Sequence, residues 1–211
     1  LETRSTIKTP AGTVTSASLA SRDEPGWPLE RPIKDFARDL PVFEILGFPD
    51  LDVMDPTPLT QAWEEVGESY LLEGFLGVPF TDFWGGSREG GLEQTIYDFV
   101  EHEAELARLH GRYVEYMVEK TRRLCEQTPV ESFFIGCSWS CNSLISPRMW
   151  RRWDKPVIAA VAAEAHRHGR LLHVHFHGRC LESVADFAEV GMDCVCPFER
   201  PPGGDVEGLA G

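Results

Sequence analysis

The spacing of hydrophobic positions predicts an irregular first quarter of the chain that begins with a hairpin. Residues 3–19 alternate Thr, Ile and Val with polar side chains around "TPAGT". This pattern predicts a β-hairpin with Pro10 and Gly12 in its turn. Residues 22–58 are rich in Pro, Asp and Gly, which predicts connecting chain around a short helix over residues 33–40.

The middle of the chain is predicted to be mainly helical. The stretch "LTQAWEEVGESYLLEGFLGV" from residue 59 begins with helical spacing and ends in a short strand near residues 71–77. Residues 91–127 then place apolar side chains three or four positions apart, as in a helix with one buried face. That face consists of Leu106, Leu109, Tyr113, Met117 and Leu124.

Residues from about 130 to 200 alternate short apolar runs with helical segments. Strands are predicted for "ESFFIGC", "RLLHVHFH" and "DCVCPF", and helices for "SPRMWRRWDKPVIAAVAAEAHRHG" and "LESVADFAEVG". In the first helical segment, Ser146 is the expected N-cap, Pro147 the first helical residue and Pro156 a break. This alternation predicts parallel βαβ units and an α/β fold.

Two α/β architectures satisfy this pattern: an open doubly wound sheet and a (β/α)₈ barrel. No Gly-x-Gly-x-x-Gly or Gly-x-x-x-x-Gly-Lys-Ser/Thr motif follows any predicted strand, so the usual evidence for nucleotide binding is missing. A full barrel needs about 250 residues, and the chain has 211. The barrel interpretation therefore implies a partial barrel, and both chain ends look like those of a fragment.

Charge and cysteine content narrow the choice of partners. The net charge of −14 argues against nucleic acid or an anionic membrane as a partner. No apolar run approaches the roughly 20 residues of a membrane helix. The six cysteines lie in or beside predicted strands of a medium-sized chain. We therefore expect reduced thiols and a cytoplasmic protein.

Three histidines alternate in "RLLHVHFHGRC", residues 170–180. In a strand, His173, His175 and His177 would share one face, with neighbours about 6–7 Å apart. Metal–imidazole bonds are about 2 Å long, so one ion can join two neighbouring histidines but hardly all three. We expect His175 and His177, at the carboxyl end of the strand, to bind a metal and His173 to lie deeper. The alternative is that all three are hydrogen-bonded structural histidines.

Zinc needs at least a third protein ligand. The candidates are Cys137 and Cys141 near the end of one predicted strand and Cys194 and Cys196 beside another. Small cysteines are also ordinary core residues, and we favour that interpretation for Cys194. Each could complete a site with the histidine pair. The sequence does not choose among them.

Polar residues beyond the strand ends are candidates for chemistry. Glu199 and Asp205 in "PFERPPGGD" could bind metal, orient a histidine or act as general acid and base. The forked guanidinium of Arg179 could hold a carboxylate or phosphate. Solvated loop residues are the alternative for all three.

The order of four stretches resembles the uroporphyrinogen decarboxylase superfamily, which includes the methylcobalamin:thiol (coenzyme M) methyltransferases. The stretches are "IKTPAGTVTSAS" with "WPLERPIKDFARDL", then "LISPRMWRRWDKPVIAAV", "HFHGR" before "EVGMD", and "PFERPPGGD". The resemblance implies a (β/α)₈ barrel in which residues 1–211 form one partial domain. A hairpin insertion at about residues 1–20 would precede the regular βαβ units.

The resemblance also implies two chemistries. The decarboxylases of this superfamily use no metal or cofactor. The methyltransferases bind zinc through a His-x-Cys pair and a later Cys, and the zinc activates a thiol for methyl transfer to or from a cobalamin carried by a partner protein. Here His175 matches the first ligand, His177 replaces the Cys, and the later Cys would fall beyond Gly211. Imidazole in place of thiolate makes the zinc more Lewis-acidic, so zinc binding survives the change better than thiol chemistry does.

We therefore expect a zinc-dependent methyltransferase that moves a methyl group between a corrinoid protein and a small molecule. His175 and His177 would bind zinc, Glu199 or Asp205 would act as acid or base, and Asn142 and Arg179 would contact the substrate. One alternative is a cofactor-free decarboxylase of porphyrin biosynthesis, a carboxy-lyase. Another is a non-catalytic paralogue that binds a corrinoid or another ligand. We also expect a longer chain or pairing with a second copy, because half a barrel exposes sheet edges.

Overall fold

A computed structural model describes residues 1–209 of the chain. These residues form two compact units. One contains Leu1–Asp50 and Phe83–Leu109, and the other contains Leu51–Asp82 and the chain from His110 onward. In chain order the strands and α-helices are β1 (Glu2–Thr9), β2 (Gly12–Leu19), β3 (Trp27–Glu30), α1 (Phe36–Leu46), α2 (Thr57–Val66), β4 (Glu73–Gly77), α3 (Phe80–Ser87), α4 (Gly91–Glu101), α5 (Glu103–Gln127), β5 (Ser132–Ile135), α6 (Pro147–Trp153), α7 (Lys155–Arg167), β6 (Leu171–His175), α8 (Val184–Val190) and β7 (Cys194–Cys196).

The first unit contains a three-stranded antiparallel sheet in the order β1-β2-β3. The predicted hairpin is confirmed, with Glu2 opposite Leu19 and Thr9 opposite Gly12. Strand β3 lies in the stretch that was predicted to be irregular. It has four residues, one of them Pro28, so it lacks both the length and the residue types that mark a strand in sequence.

Helix α1 is longer than the sequence predicted. Asp35 caps it by accepting a hydrogen bond from the backbone N–H of Arg38 at 2.8 Å. The helix continues through Pro41 to Leu46. The apolar spacing of buried Phe36, Leu40 and Phe43 extends past the proline, so packing outweighs the loss of one backbone hydrogen bond.

The second unit is built on a parallel sheet in the order β4-β5-β6-β7. One face of this sheet is apolar and fully buried. Its side chains are Leu76, Phe133, Ile135, Leu172 and Val174. The helical face predicted for α5 is confirmed, since Leu106, Leu109, Tyr113, Met117 and Leu124 are all buried. These are the expected parallel βαβ units of an α/β fold.

The other face of this sheet is more open. One row across the sheet joins Phe75, Phe134, His173 and Cys194. Phe75 and Cys194 are exposed, and Phe134 and His173 are partly buried. Cys194 is therefore not a core residue, contrary to the plain-core interpretation of this cysteine. The alternation of the strands thus separates a buried apolar face from a face that carries the histidines.

The helices between β5 and β6 follow the sequence signals closely. Ser146 caps α6 through a hydrogen bond from the N–H of Met149, and Pro147 is the first helical residue. The break occurs at Asp154, so that Pro156 lies in the first turn of α7, where its missing N–H costs nothing. No helix in the described part of the chain combines the length and hydrophobicity needed to cross a membrane.

Candidate functional site

The carboxyl ends of β5, β6 and β7 lie side by side, and the alternating histidines follow the open face of β6. Strand β6 ends at His175, so His177 lies just beyond it. Val174 and Phe176 are buried on the opposite side, at 0% and 1% exposure. The His173 side chain is 16% exposed and that of His177 is 47% exposed. As expected, the three histidines share one face, and His173 is more buried than His177.

The deep end of this row is a closed hydrogen-bonded group. The carboxylate of Glu73, on β4, contacts Nδ1 of His173 at 2.9 Å and accepts a hydrogen bond from the Ser132 hydroxyl. Nε2 of His173 lies 2.9 Å from Sγ of Cys196. Both ring nitrogens of His173 are therefore engaged within the protein, which agrees with a supporting role.

The outer end brings His175, His177 and Glu199 together. Nδ1 of His175 lies 3.5 Å from Sγ of Cys196, and its Nε2 lies 2.5 Å from Nε2 of His177. Nδ1 of His177 lies 3.5 Å from a carboxylate oxygen of Glu199. That same oxygen accepts a hydrogen bond from the backbone N–H of Gly178. Six side chains thus form a continuous string from Glu73 to Glu199.

The surroundings set the charge of several groups in this string. Burial, followed by the proximity of His177 and His173, lowers the pKa of His175. Burial raises the pKa of the Cys196 thiol, and the neighbouring Cys194 and Glu73 add to that rise. The Gly178 amide lowers the pKa of Glu199. Near neutral pH the outer end is therefore a neutral His175 and thiol beside a carboxylate.

The outer histidines fit a metal in part. Their Nε2 atoms converge, and a small rotation of either ring would let both bind one ion at about 2 Å. Glu199 at Nδ1 of His177 gives the carboxylate–histidine arrangement that orients metal ligands. Among residues 1–209, however, no group of three or more His, Cys, Asp or Glu side chains could hold a metal ion. Cys196 faces the other nitrogen of His175, and Cys137 and Cys141 are buried.

Asp205 does not join the histidines. Its carboxylate accepts hydrogen bonds from the backbone N–H groups of Cys180 and Leu181, at 2.8 and 3.3 Å. It lines a cavity of about 300 Å³ together with Asn142 and Arg179. The structure thus places Glu199 beside the candidate metal ligands and gathers the other three predicted residues around a neighbouring cavity.

Sequence reasoning missed a buried carboxylate, Asp82, that holds the loop after β5. It accepts hydrogen bonds from three successive backbone N–H groups, those of Ser138, Trp139 and Ser140, at 2.9, 2.9 and 3.0 Å. Burial raises its pKa, while the three amides act in the opposite direction. Asp82 follows the predicted strand at residues 71–77, so the strand-end rule that identified Glu199 could also have found it.

A second missed carboxylate, Asp154, lies at the break between α6 and α7 and is fully buried. It accepts hydrogen bonds from the backbone N–H and the hydroxyl of Thr81, both at 2.8 Å, and from the Ser140 hydroxyl at 2.7 Å. Burial raises its pKa to about 7, against the lowering effect of these donors. The only sequence signal was an acidic residue directly before the Lys-Pro that starts α7.

Comparison with known proteins identifies the family. Residues 57–197 match the profile of the uroporphyrinogen decarboxylase (URO-D) family. No curated protein matches the chain in sequence. A solved methyltransferase from Methanosarcina mazei is similar in fold, with a TM-score of 0.52 and 12% sequence identity over 83% of this chain and 50% of that one. The chain therefore spans about half the length of that structure. The match over two-thirds of its residues shows that the chain belongs to the uroporphyrinogen decarboxylase (URO-D) family.

Proposed function

We propose that this chain is part of a zinc-dependent methyltransferase that moves a methyl group between a corrinoid protein and a small molecule. The observation that carries the proposal is the convergence of the His175 and His177 Nε2 atoms, 2.5 Å apart, at the carboxyl end of a parallel strand. Ligands and catalytic groups of parallel α/β folds gather at that end. The superfamily resemblance supplies the corrinoid and methyl chemistry.

We also propose that the parallel sheet is part of a (β/α)₈ barrel. Its order β4-β5-β6-β7 follows the chain, as neighbouring barrel strands do. The row from Phe75 to Cys194 would face the barrel interior, and the β1–β2 hairpin would be an insertion. The similarity in fold to a methyltransferase structure twice as long supports this proposal.

Each residue has a role in the proposed site. Bound zinc would supply Lewis acidity and lower the pKa of a substrate group. His175 and His177 would hold it, Glu199 would orient His177 through Nδ1, and the third protein ligand would come from outside residues 1–209. The Glu73–His173–Cys196 group would fix the His175 ring from behind. We also propose a cytoplasmic location, which the six free cysteines support.

Elemental analysis tests the proposal directly. We would purify the full-length protein without added metal, beside a His175→Ala/His177→Ala variant. His166→Ala is the matched control, because His166 is a histidine of the same unit whose Nε2 contacts Asp193 instead. About one zinc per chain in wild type and control, lost in the double variant, is the expected result. Release of the methyl group from methylcobalamin would then be assayed.

One observation favours a second function, a cofactor-free decarboxylase. A decarboxylase must deliver a proton to the carbon that loses CO₂. The continuous string from Glu73 to Glu199 contains three imidazoles, each able to accept a proton at one nitrogen and release it from the other. A metal on the two Nε2 atoms would break the His175–His177 contact. Absence of zinc from the wild-type protein would therefore sink the methyltransferase proposal and favour this one.

A further inference from the structure

The cavity that follows the histidines in the chain has the composition of a ligand site. Gly178, with a φ of +73°, turns the chain after His177, and residues 179–182 line the cavity. Asn142, Pro147 and Asp205 complete the lining. At about 300 Å³ the cavity is at the small end of the range for small-molecule sites.

Asn142 points to a ligand that brings hydrogen-bond acceptors. Its Oδ1 accepts a hydrogen bond from the Ser183 hydroxyl at 2.5 Å. Its Nδ2 is buried and has no hydrogen-bond partner among the described residues. In this orientation of the amide, the group without a partner is the N–H₂ donor. A buried donor left unpaired is costly, so the site gains from an acceptor placed there.

Arg179 adds a positive charge to the same cavity. Its backbone N–H donates to the Ser143 hydroxyl at 2.9 Å, which anchors the main chain. Its side chain is exposed, and no hydrogen bond or ion pair joins the guanidinium to another described residue. An anchored backbone with an uncommitted guanidinium is suited to binding an anion through two parallel hydrogen bonds.

The acidic lining residues limit the charge of the ligand. Asp205 already accepts two backbone N–H groups, and Glu182 is exposed. Burial raises the pKa of the Cys180 thiol to about 11, so this lining residue stays neutral. One guanidinium opposite two carboxylates favours a planar monoanion over a phosphate dianion.

We propose that this cavity binds the carboxylate of a small organic acid, with Arg179 and the Nδ2 of Asn142 as the donors. The inference rests on the proposed function, because it names the substrate class of that enzyme as methyl-bearing or methyl-accepting carboxylic acids. Only Gly178 separates Arg179 from His177 in the chain, so the rest of the molecule would extend out of the cavity toward the proposed zinc ligands.

Calorimetric titration of the full-length protein with benzoate tests the inference. Benzamide, the uncharged analogue, and phenyl phosphate are the comparison ligands. We expect benzoate to bind at millimolar concentration or below and benzamide to bind at least about 10-fold more weakly. Arg179→Gln and Asn142→Asp should each weaken benzoate binding about 10-fold or more. Arg22→Gln removes the same charge from an exposed residue outside the cavity and should change nothing.

The outcomes separate this inference from the proposed function. The His175→Ala/His177→Ala variant should still bind benzoate within about threefold of wild type, because neither histidine lines the cavity. If the wild-type protein binds benzoate but contains no zinc, the carboxylate site stands and the methyltransferase proposal is wrong. Failure of the wild type to bind benzoate, equal binding by the Arg179 variant, or tighter binding of phenyl phosphate would each overturn the carboxylate site.

Discussion

The loops after β5 and after β6 begin at the same edge of one sheet but are stabilised in opposite ways. The β5 loop is held by Asp82 and Asp154, two buried carboxylates whose hydrogen bonds are made to the loop and to Thr81. The histidines after β6 are partly exposed and contact mainly one another and Glu199. Buried polar groups that are fully paired stabilise a fold, whereas exposed titratable groups remain available for ligands. The first loop is therefore the scaffold, and the second carries the chemistry.

The largest expected effect comes from removing the scaffold carboxylate. Asp154→Ala would leave the Thr81 amide and two hydroxyls without their acceptor in a dry site, and should lower the free energy of unfolding by about 4 kcal/mol. Asp154→Asn keeps one oxygen acceptor and should cost about 1 kcal/mol. Urea denaturation measures both. If Asp154→Ala and Asp154→Asn lower the unfolding free energy by the same small amount, this carboxylate does not stabilise the loop after β5. The distinction between a stabilising loop and a functional loop would then be wrong.

The same carboxylate should make stability depend on pH. Its pKa is 3.8 in an ordinary setting and about 7 in the folded protein. Between these values the folded state keeps the proton and the unfolded state releases it. The contribution of Asp154 to the unfolding free energy should therefore fall as pH rises from 4 to 7, by up to about 1.4 kcal/mol per pH unit. Denaturation at several pH values compares wild type with Asp154→Asn, in which this slope should be absent. A slope shared by both proteins would assign it to other groups whose pKa burial raises, such as Asp82.

Gly178, in the loop after β6, lies against Ser143, in the loop after β5, so it tests how the two loops pack together. At its φ of +73° an added Cβ would meet the Ser143 hydroxyl, which holds the Arg179 amide. Gly169, with a φ of +67° and open space around it, is the matched control. Gly178→Ala should lower the unfolding free energy by about 1 kcal/mol more than Gly169→Ala does. The double variant Gly178→Ala/Ser143→Ala should recover part of the unfolding free energy that the clash costs. If the two alanine variants unfold alike, the contact with Ser143 is unimportant.

The smallest effect on stability should come from the proposed metal ligands. In metal-free protein, His175→Ala/His177→Ala should change the unfolding free energy by less than about 1 kcal/mol, because the His177 ring is half exposed and His175 is only partly buried. Thermal unfolding with and without added zinc is the measurement. Zinc should raise the midpoint of wild type and leave that of the variant unchanged. A large loss of stability in the metal-free variant would assign the histidines to the scaffold.

The sequence predicted those parts of the fold that depend on local patterns. The buried face of α5, the Ser146 cap and the alternation of His173, His175 and His177 each follow from the periodicity of a single element, and all three are confirmed in the structure. The pairing of Glu199 with His177 was one of three roles considered for that residue. Predicting this pairing required only the rule that the carboxyl ends of neighbouring parallel strands lie side by side.

Features that depend on contacts distant in sequence could not be predicted in this way. Asp154 and Thr81 are 73 residues apart, and Glu73 and His173 are 100 residues apart. Nothing in the neighbouring residues signals either contact. Strand β3 was missed because four residues are too few to show a period. Asp205 was grouped with Glu199 by sequence proximity, whereas the structure directs it to the amides of Cys180 and Leu181.

The way Asp82 holds its loop also bears on how this scaffold can be changed. The carboxylate accepts its hydrogen bonds from main-chain N–H groups, those of Ser138, Trp139 and Ser140, which every residue except proline supplies. The shape of the loop is thus encoded elsewhere in the chain, and substitution at position 138 would not remove the hydrogen bond that defines it. A library that randomises the side chain at position 138 could therefore explore new substrates on a backbone that keeps its geometry.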